Sequence, residues 1–395
     1  MLDKRKVYIV AAKRSALCKA NKGGLINTRP DDLLADLIKE VVKESGVNTA
    51  DIGDTIIGCA FPEAEQGLNV ARVSVLLAGL PDTVPGVTIN RYCSSGINAI
   101  AMAANSIATG EIEVALAGGV ESMTMIPMGG NNPSVSPKVF LNDDNVALAY
   151  GMGITAEKVA TQWNVSRQAQ DEFAYESHMK ALKAQQNGHF KDQILPIETV
   201  LKQVKAHQIQ ELKKLVDADD GIRADTTVEG LAKLKPAFDT KGSVTAGNSS
   251  QMTDGAACVM LVSEDYMRKH NLTPLARFCG FSVAGVPASI MGIGPIKAIP
   301  KVLAQTGLSL SQISWMELNE AFAAQSLAVI NELKISKEVA NPDGGAIALG
   351  HPLGATGSVL TVKAISGMHR NNLQYAMITM CIGAGMGAAA IIERC

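Results

Sequence analysis

The chain has 395 residues, 47% hydrophobic and 19% charged, enough to bury a large core and to fill two or three domains. Its formal net charge of -2 leaves no basic excess for holding nucleic acid or an anionic membrane surface. Aromatic residues are scarce at 4%, while 36 glycines and 16 methionines suit a tightly packed α/β core rich in turns.

The chain opens with MLDKRKVYIVAAKRSA, polar and then strand-like, which reads as neither a secretory nor a transit leader. No run of eighteen apolar residues occurs, so no membrane span is expected, and the terminal IIERC matches no lipid or peroxisomal signal. Seven cysteines, at positions 18, 59, 93, 258, 279, 381 and 395, lack metal-ligand spacing. They predict a reduced, cytoplasmic setting, no metal, and cysteines that are either structural or nucleophilic.

The first clear element is PDDLLADLIKEVVKESG. Leu33, Leu34, Leu37, Ile38, Val41 and Val42 recur at helical spacing, Gly46 serves as a C-cap, and a strand-like run leads to Phe61. CSSGINAIAMAANSIATG then reads as a buried helix opened by Ser and Gly, followed by the strand EVALAGGV. Residues 122–251 have a different character. PMGGNNPSVSP is loop-like, and ITAEKVATQWNVSRQAQDEFAYESHMKAL reads as one polar helical region in which Ser166 suits a helix start. LKQVKAHQIQELKKL carries local positive charge, either as a solvated face or as an attractor for a phosphate-bearing ligand.

The early pattern then returns. In PIKAIPKVLAQTGLSLSQISWMELNEAF, Gly307, Ile313 and Phe322 repeat the spacing of Gly46, Ile52 and Phe61. GATGSVLTVKAISGM and the strand YAMITMCIGAG follow in the same order as the helix and strand of the first half. Two matches in one order imply an internal duplication of a βα-rich unit, whose apolar strands need helices on both faces. The expected organisation is a first half over 1–121 plus 252–273, an inserted loop domain over 122–251, and a second half over 274–395.

Three clusters carry reactive groups. In INRYCSSG, Cys93 stands just ahead of a helix, where the positive end of the helix dipole favours thiolate; Ser94 or Ser95 would serve as caps. In NPDGGAIALGHPLGATG the ionisable side chains are Asp343 and His351. The imidazole, presented from a tight turn, is placed either to take a proton from a thiol or to hold the turn. In AMITMCIGAGMGAAAI an apolar strand delivers Cys381 to a glycine run. No helix with an acidic partner follows, so a dinucleotide site is disfavoured, and backbone N–H groups from Gly383 and its neighbours suit an oxyanion hole. Two cysteines and a histidine on glycine turns point to thioester chemistry.

NRYCSSG, NPDGGAIALGHP with GATG, and CIGAGMG resemble the nucleophile, histidine and second-cysteine motifs of the thiolase family. NEAFAAQ and TAGNSSQMTDGAA match as well, so the resemblance covers essentially the whole chain. It implies an α/β fold of duplicated βα units in an αβαβα five-layer core, with a loop domain inserted in the first half. It also implies roles. Cys93 carries the acyl group, His351 takes its proton, and Cys381 acts as acid and base at the α-carbon. Asn319 positions a water that forms one oxyanion hole with His351, and the backbone N–H groups of Cys93 and Gly383 form the other. Coenzyme A and acyl-CoA are expected as substrates, with no permanently bound cofactor and no metal. Arg223 would meet the nucleotide end, Phe238, Ala246 and Ser250 the pantetheine, and Met152 the acyl end.

The resemblance also bears on subtype. Acetoacetyl-specific members show His-Met-Gly where this chain has Gly151-Met152-Gly153, and the stretch from Ser122 to Tyr150 is short for their cationic, tetramer-forming loop. A degradative 3-ketoacyl-CoA thiolase of fatty acid β-oxidation is therefore expected, with acetoacetyl-CoA thiolase as the alternative. A non-catalytic lipid-transfer relative would be expected to lack one of Cys93, Asn319, His351 and Cys381, and all four are present. A homodimer or dimer of dimers is expected, with a β-oxidation multienzyme as a possible partner.

Overall fold

The computed structural model describes residues 5–141, 145–205 and 208–395; the middle of the basic segment, Ala206 and His207, lies outside the described residues. Strand β1 (Val7–Arg14) and the short β2 (Cys18–Lys19) lead to α1 (Pro30–Ser45). Pro30 and two aspartates start that helix, Leu33, Leu34, Leu37, Ile38 and Val41 are buried along one face, and Gly46 ends it at φ 66°. Next come β3 (Asp54–Gly58), α2 (Val70–Leu77), β4 (Val87–Ile89), α3 (Ser95–Thr109) and β5 (Val114–Glu121).

The chain then leaves the sheet for α4 (Met152–Gln162), α5 (Arg167–Gln186), the hairpin β6 (Ile197–Lys205) and β7 (Gln208–Val216), and α6 (Val228–Ala232). It returns in β8 (Thr253–Ser263) and α7 (Glu264–Lys269). The remainder runs through β9 (Ala276–Gly285), α8 (Gly294–Thr306), β10 (Trp315–Leu318), α9 (Ala323–Leu333), α10 (Ala346–Leu349), α11 (Leu353–Asn371), β11 (Tyr375–Ile382) and β12 (Met386–Arg394).

The duplication is visible in the pairing. The sheet order is β10-β11-β12-β9-β1-β8-β5-β3-β4, and each half reads outward in the same way. β3 and β5 are parallel, as are β10 and β11; β8 and β12 follow antiparallel, then β1 and β9. Within the sheet the described residues join the halves through β1 and β9, which pair at Tyr8 with Arg277 and at Ile9 with Ala276. Gly307 ends α8 at φ 72° as Gly46 ends α1, and a 3-10 turn precedes both Ile52 and Ile313. Helices α3 and α11 pack on each other between the two halves, with α1 and α2 outside one and α8 and α9 outside the other. Strands β5 and β8 are buried over their whole length, which is why they read as continuous apolar runs.

One sequence expectation needs correction. The polar region from Ile154 to Leu182 is two helices, broken where Asn164 turns left-handed at φ 53°. Ser166 restarts the chain by accepting the Ala169 N–H through its hydroxyl. The positive segment forms the β6–β7 hairpin. No helix among the described residues is long and apolar enough to cross a membrane.

The inserted region is tied to the core by a fully buried ion pair. Arg14 on β1 reaches Asp219 through two bonds of 2.7 and 2.9 Å, donates to Gln193 at 3.0 Å, and stacks over Phe190. Removing one partner of such a pair strands the other charge. Asp219→Ala is expected to destabilise the protein by about 3–5 kcal/mol, measurable by urea unfolding.

Candidate active site

Cys93 lies on a 3-10 turn, Tyr92–Ser94, that runs straight into α3. Tyr92 is held left-handed at φ 44°, a strained conformation for a side chain of this size. Three side chains fix the turn. Asn90 accepts the Tyr92 N–H at 2.8 Å and donates to Ala60 O. Ser95 accepts the Arg91 N–H and donates to Tyr92 O, and Ser94 donates to Arg91 O. The serines therefore brace the turn; Ser94, at the N-cap position, makes no capping bond to the helix.

The helix dipole, which favours thiolate at Cys93, is opposed by burial. Burial pushes the Cys93 thiol up to about 11, although N–H groups of Gly383 and of Cys93 itself bond toward the sulfur and pull the other way; the charge of Glu121 adds to the rise. Loss of hydration outweighs the dipole here. The two amides aimed at this sulfur come from the residues singled out in the sequence for an oxyanion hole.

Cys381, on β11, is buried, and its thiol is raised still further by burial and then by Cys93. After it the chain turns through Ala384 at φ 64° and Gly385 at φ 85° into β12, which sets Gly383 beside the Tyr92 ring and the Met152 sulfur. Met152, at the start of α4, packs into the cluster that contains Cys381, Phe322 and Met291.

His351 is buried, and burial lowers its imidazole to about 4, so the ring is neutral. Nδ1 bonds Thr356 Oγ1 at 2.6 Å, and Nε2 faces Asn319 Nδ2 at 3.3 Å. An amide N–H can only donate, so Nε2 offers its lone pair and the proton sits on Nδ1. Thr356 is a site residue that the sequence reading passed over; it lies one turn into the helix behind the histidine. Asn319 Oδ1 is buried without a hydrogen-bond partner among the described residues, leaving an acceptor free beside the histidine.

The residues expected along coenzyme A differ in how closely they approach this cluster. The Phe238 ring meets Phe322 edge-on at 6.0 Å and covers Gly153 so closely that a Cβ there would lie 2.1 Å from it. Ser250 is half-buried and donates its N–H to Ala321 O, while Ala246 is exposed. Arg223 is exposed, its guanidinium forms no ion pair among the described residues, and its backbone N–H bonds the buried His178. Gln251, another residue not singled out earlier, donates to Gly221 O, Ile347 O and Ala348 O and so joins the Arg223 segment to the turn before His351. The structure thus brings Cys93 together with Gly383, Cys381 and Met152, sets His351 against Asn319, and joins the two groups through Leu353, which packs with Cys93 two positions after His351; Phe238 meets Phe322, and Arg223 and Ala246 lie at the surface.

Comparison with known proteins gives the family. The thiolase N-terminal domain matches residues 7–265 and the thiolase C-terminal domain residues 272–394. The chain belongs to the thiolase family and is an acyltransferase. It is 49% identical over 392 residues to a 3-ketoacyl-CoA thiolase of Bacillus subtilis, covering 99% of this chain and all of that one. It is 40% identical over 390 residues to the human peroxisomal 3-ketoacyl-CoA thiolase, covering 98% of this chain and 90% of that one. The crystal structure of an acetyl-CoA acetyltransferase from Bacillus anthracis superposes with a TM-score of 0.88 at 40% identity, over the full length of both chains.

The neutral histidine carries a stability signature. Its ordinary value is 6.5 and its folded value about 4, so between those pH values the unfolded chain binds the extra proton and stability from this group is lost as pH falls. Buried Glu121, Glu317 and Glu320 are shifted upward and act in the opposite sense, so a difference measurement is needed. The stability of wild type minus that of His351→Asn is expected to shrink as the pH of a urea titration is taken from 6.5 to 4.

Proposed function

We propose that this thiolase cleaves 3-ketoacyl-CoA with free CoA, giving acetyl-CoA and a shortened acyl-CoA, and that Cys93 is its nucleophile. The convergence of two cysteines, a neutral histidine and two inward-pointing amides supports this reading most directly. In it, His351 Nε2 takes the Cys93 proton as the sulfur attacks the 3-keto carbon. The carbon–carbon bond then breaks, leaving the acyl group on Cys93 and an acetyl-CoA enolate, which Cys381 protonates. The Cys381 thiolate left behind takes the proton of the CoA thiol, whose sulfur attacks the thioester; the shortened acyl-CoA is released as the Cys93 sulfur leaves and recovers its proton from His351.

Each charge has a matching group. The N–H groups of Cys93 and Gly383 hold the oxyanion at the acyl carbon. A water accepted by Asn319 Oδ1 joins His351 in holding the enolate oxygen, a role that the unpartnered Oδ1 supports. Coenzyme A runs past Met152, Phe238, Ala246 and Ser250, with Arg223 free at the surface to meet its phosphates.

The longer-chain reading, with a role in fatty acid β-oxidation, is favoured by Gly151. A Cβ at this position would meet nothing within 4 Å, so the approach beside Met152 is open. The alternative, condensation or cleavage limited to acetoacetyl-CoA, is favoured by the structural match to an acetyl-CoA acetyltransferase. Comparing kcat/KM for acetoacetyl-CoA and 3-ketodecanoyl-CoA separates the two, and comparable or higher values on the longer substrate are expected. Activity confined to acetoacetyl-CoA would establish the alternative. Cys381→Ala is expected to slow exchange of the acetyl-CoA α-protons by about a hundredfold or more. Exchange at the wild-type rate would remove Cys381 from its proposed role.

Subunit pairing is proposed through β4. Among the described residues this strand ends the sheet with one edge unpaired, and Val87 on it and Leu76 and Leu77 on the adjoining α2 are exposed. A second copy of the chain would cover that edge.

A further inference from the structure

Glu121 closes β5 at the point where the chain leaves the sheet, and its carboxylate is 1% exposed. Oε2 accepts the Ala60 N–H and the Gly354 N–H, both at 2.8 Å; Oε1 accepts the Phe61 N–H at 3.2 Å and Gln66 Nε2 at 2.5 Å. The Cys59 thiol approaches Oε1 as well, at 3.7 Å. All of these partners are donors. Gln66 cannot be turned around, because its Oε1 already accepts the Ser122 N–H at 2.9 Å. A protonated carboxyl would need an acceptor for its hydrogen and none faces it, so the group is a carboxylate in spite of its burial.

The two sides of this clamp belong to different catalytic segments. Gly354 is in the first turn of α11, three positions after His351. Ala60 and Phe61 form the wall against which Cys93 packs, together with Leu353 and Met123. We infer that Glu121 is a positioning residue that sets the spacing between the Cys93 wall and the His351 helix and keeps a fixed negative charge behind the nucleophile. This inference rests on the assignment of Cys93 as nucleophile and His351 as its base. Among the described residues the titratable groups that act on the sulfur are Glu121 at the end of β5 and Cys381 on β11, while Cys59, after β3, meets Glu121 itself. Glu121 is the charged member that raises the Cys93 thiol, and the neutral His351 contributes no charge.

Two variants of the full-length enzyme separate geometry from charge. Glu121→Gln removes the charge and turns an amide NH2 toward N–H donors. Glu121→Asp keeps the charge and shortens its reach. Alkylation of Cys93 by iodoacetamide, followed by mass spectrometry of its peptide across pH, reads the thiol without turnover. The midpoint for Glu121→Gln is expected to fall below that of wild type, and that of Glu121→Asp to stay near it. Both variants are expected to lose tenfold or more in kcat with KM for the acyl-CoA within about threefold. If Glu121→Gln does not fold, Glu121→Asp decides alone. A kcat within twofold of wild type for Glu121→Asp overturns the positioning role, and an unmoved midpoint in folded Glu121→Gln overturns the charge role. A wild-type enzyme in which alkylating Cys93 leaves turnover intact would instead strike at the nucleophile assignment, with Glu121 not at issue.

Discussion

The crossing of α3 and α11 is the constraint on which the rest of the molecule depends. A Cβ at Gly96 would lie 2.8 Å from Ser358 N and 2.9 Å from Gly354 O, and one at Gly357 would lie 2.4 Å from Ile97 N. Only bare backbone allows that approach. Gly96 follows Cys93 by three positions, as Gly354 follows His351. The same close packing that joins the two halves therefore brings the starts of both helices, and the two reactive side chains ahead of them, to one place. The duplication is more than an economy of sequence: each half contributes one member of the proposed nucleophile–base pair.

Burial governs the charges there, completely for Cys381 and His351 and in part for Cys93, which keeps some exposure. Desolvation holds Cys93 and Cys381 as thiols and His351 as a neutral ring. A site of this kind stores no thiolate. In the proposed reaction the proton leaves Cys93 only as a substrate carbonyl arrives and the amides of Cys93 and Gly383 gain an oxyanion to bind. Charge then appears where preorganised donors already point, which in a water-poor site is worth more than in solution. The buried carboxylate of Glu121 fits this scheme, since it opposes early ionisation of the sulfur while bracing the loops around it.

Much of this was legible in the sequence because it rests on local rules. Gly46 and Gly307 announce helix ends, and their equal distances to Ile52 and Ile313 and to Phe61 and Phe322 expose the repeat before any coordinates. Cys93, His351 and Cys381 stand out because they interrupt apolar and glycine-rich stretches. What stayed hidden depends on tertiary contact. Glu121 reads as an ordinary polar end to an apolar strand, yet its partners come from residues 60, 61, 66 and 354. Thr356 and Gln251 are likewise unremarkable until the fold sets them beside His351 and its turn. The dipole at the start of α3 favours a Cys93 thiolate, but a local rule does not count the burial that pulls the other way. The break at Asn164 was missed because both flanking segments are helical in composition.

The atom that carries the acyl group defines the reaction. The most direct measurement is the mass of the enzyme quenched in acid after mixing with a 3-ketoacyl-CoA in the absence of free CoA, followed by peptide mapping. A mass increase equal to the shortened acyl group, confined to the peptide containing Cys93 and absent in Cys93→Ala, is the predicted result. The same increase on Cys381, or full turnover by Cys93→Ala, would contradict it.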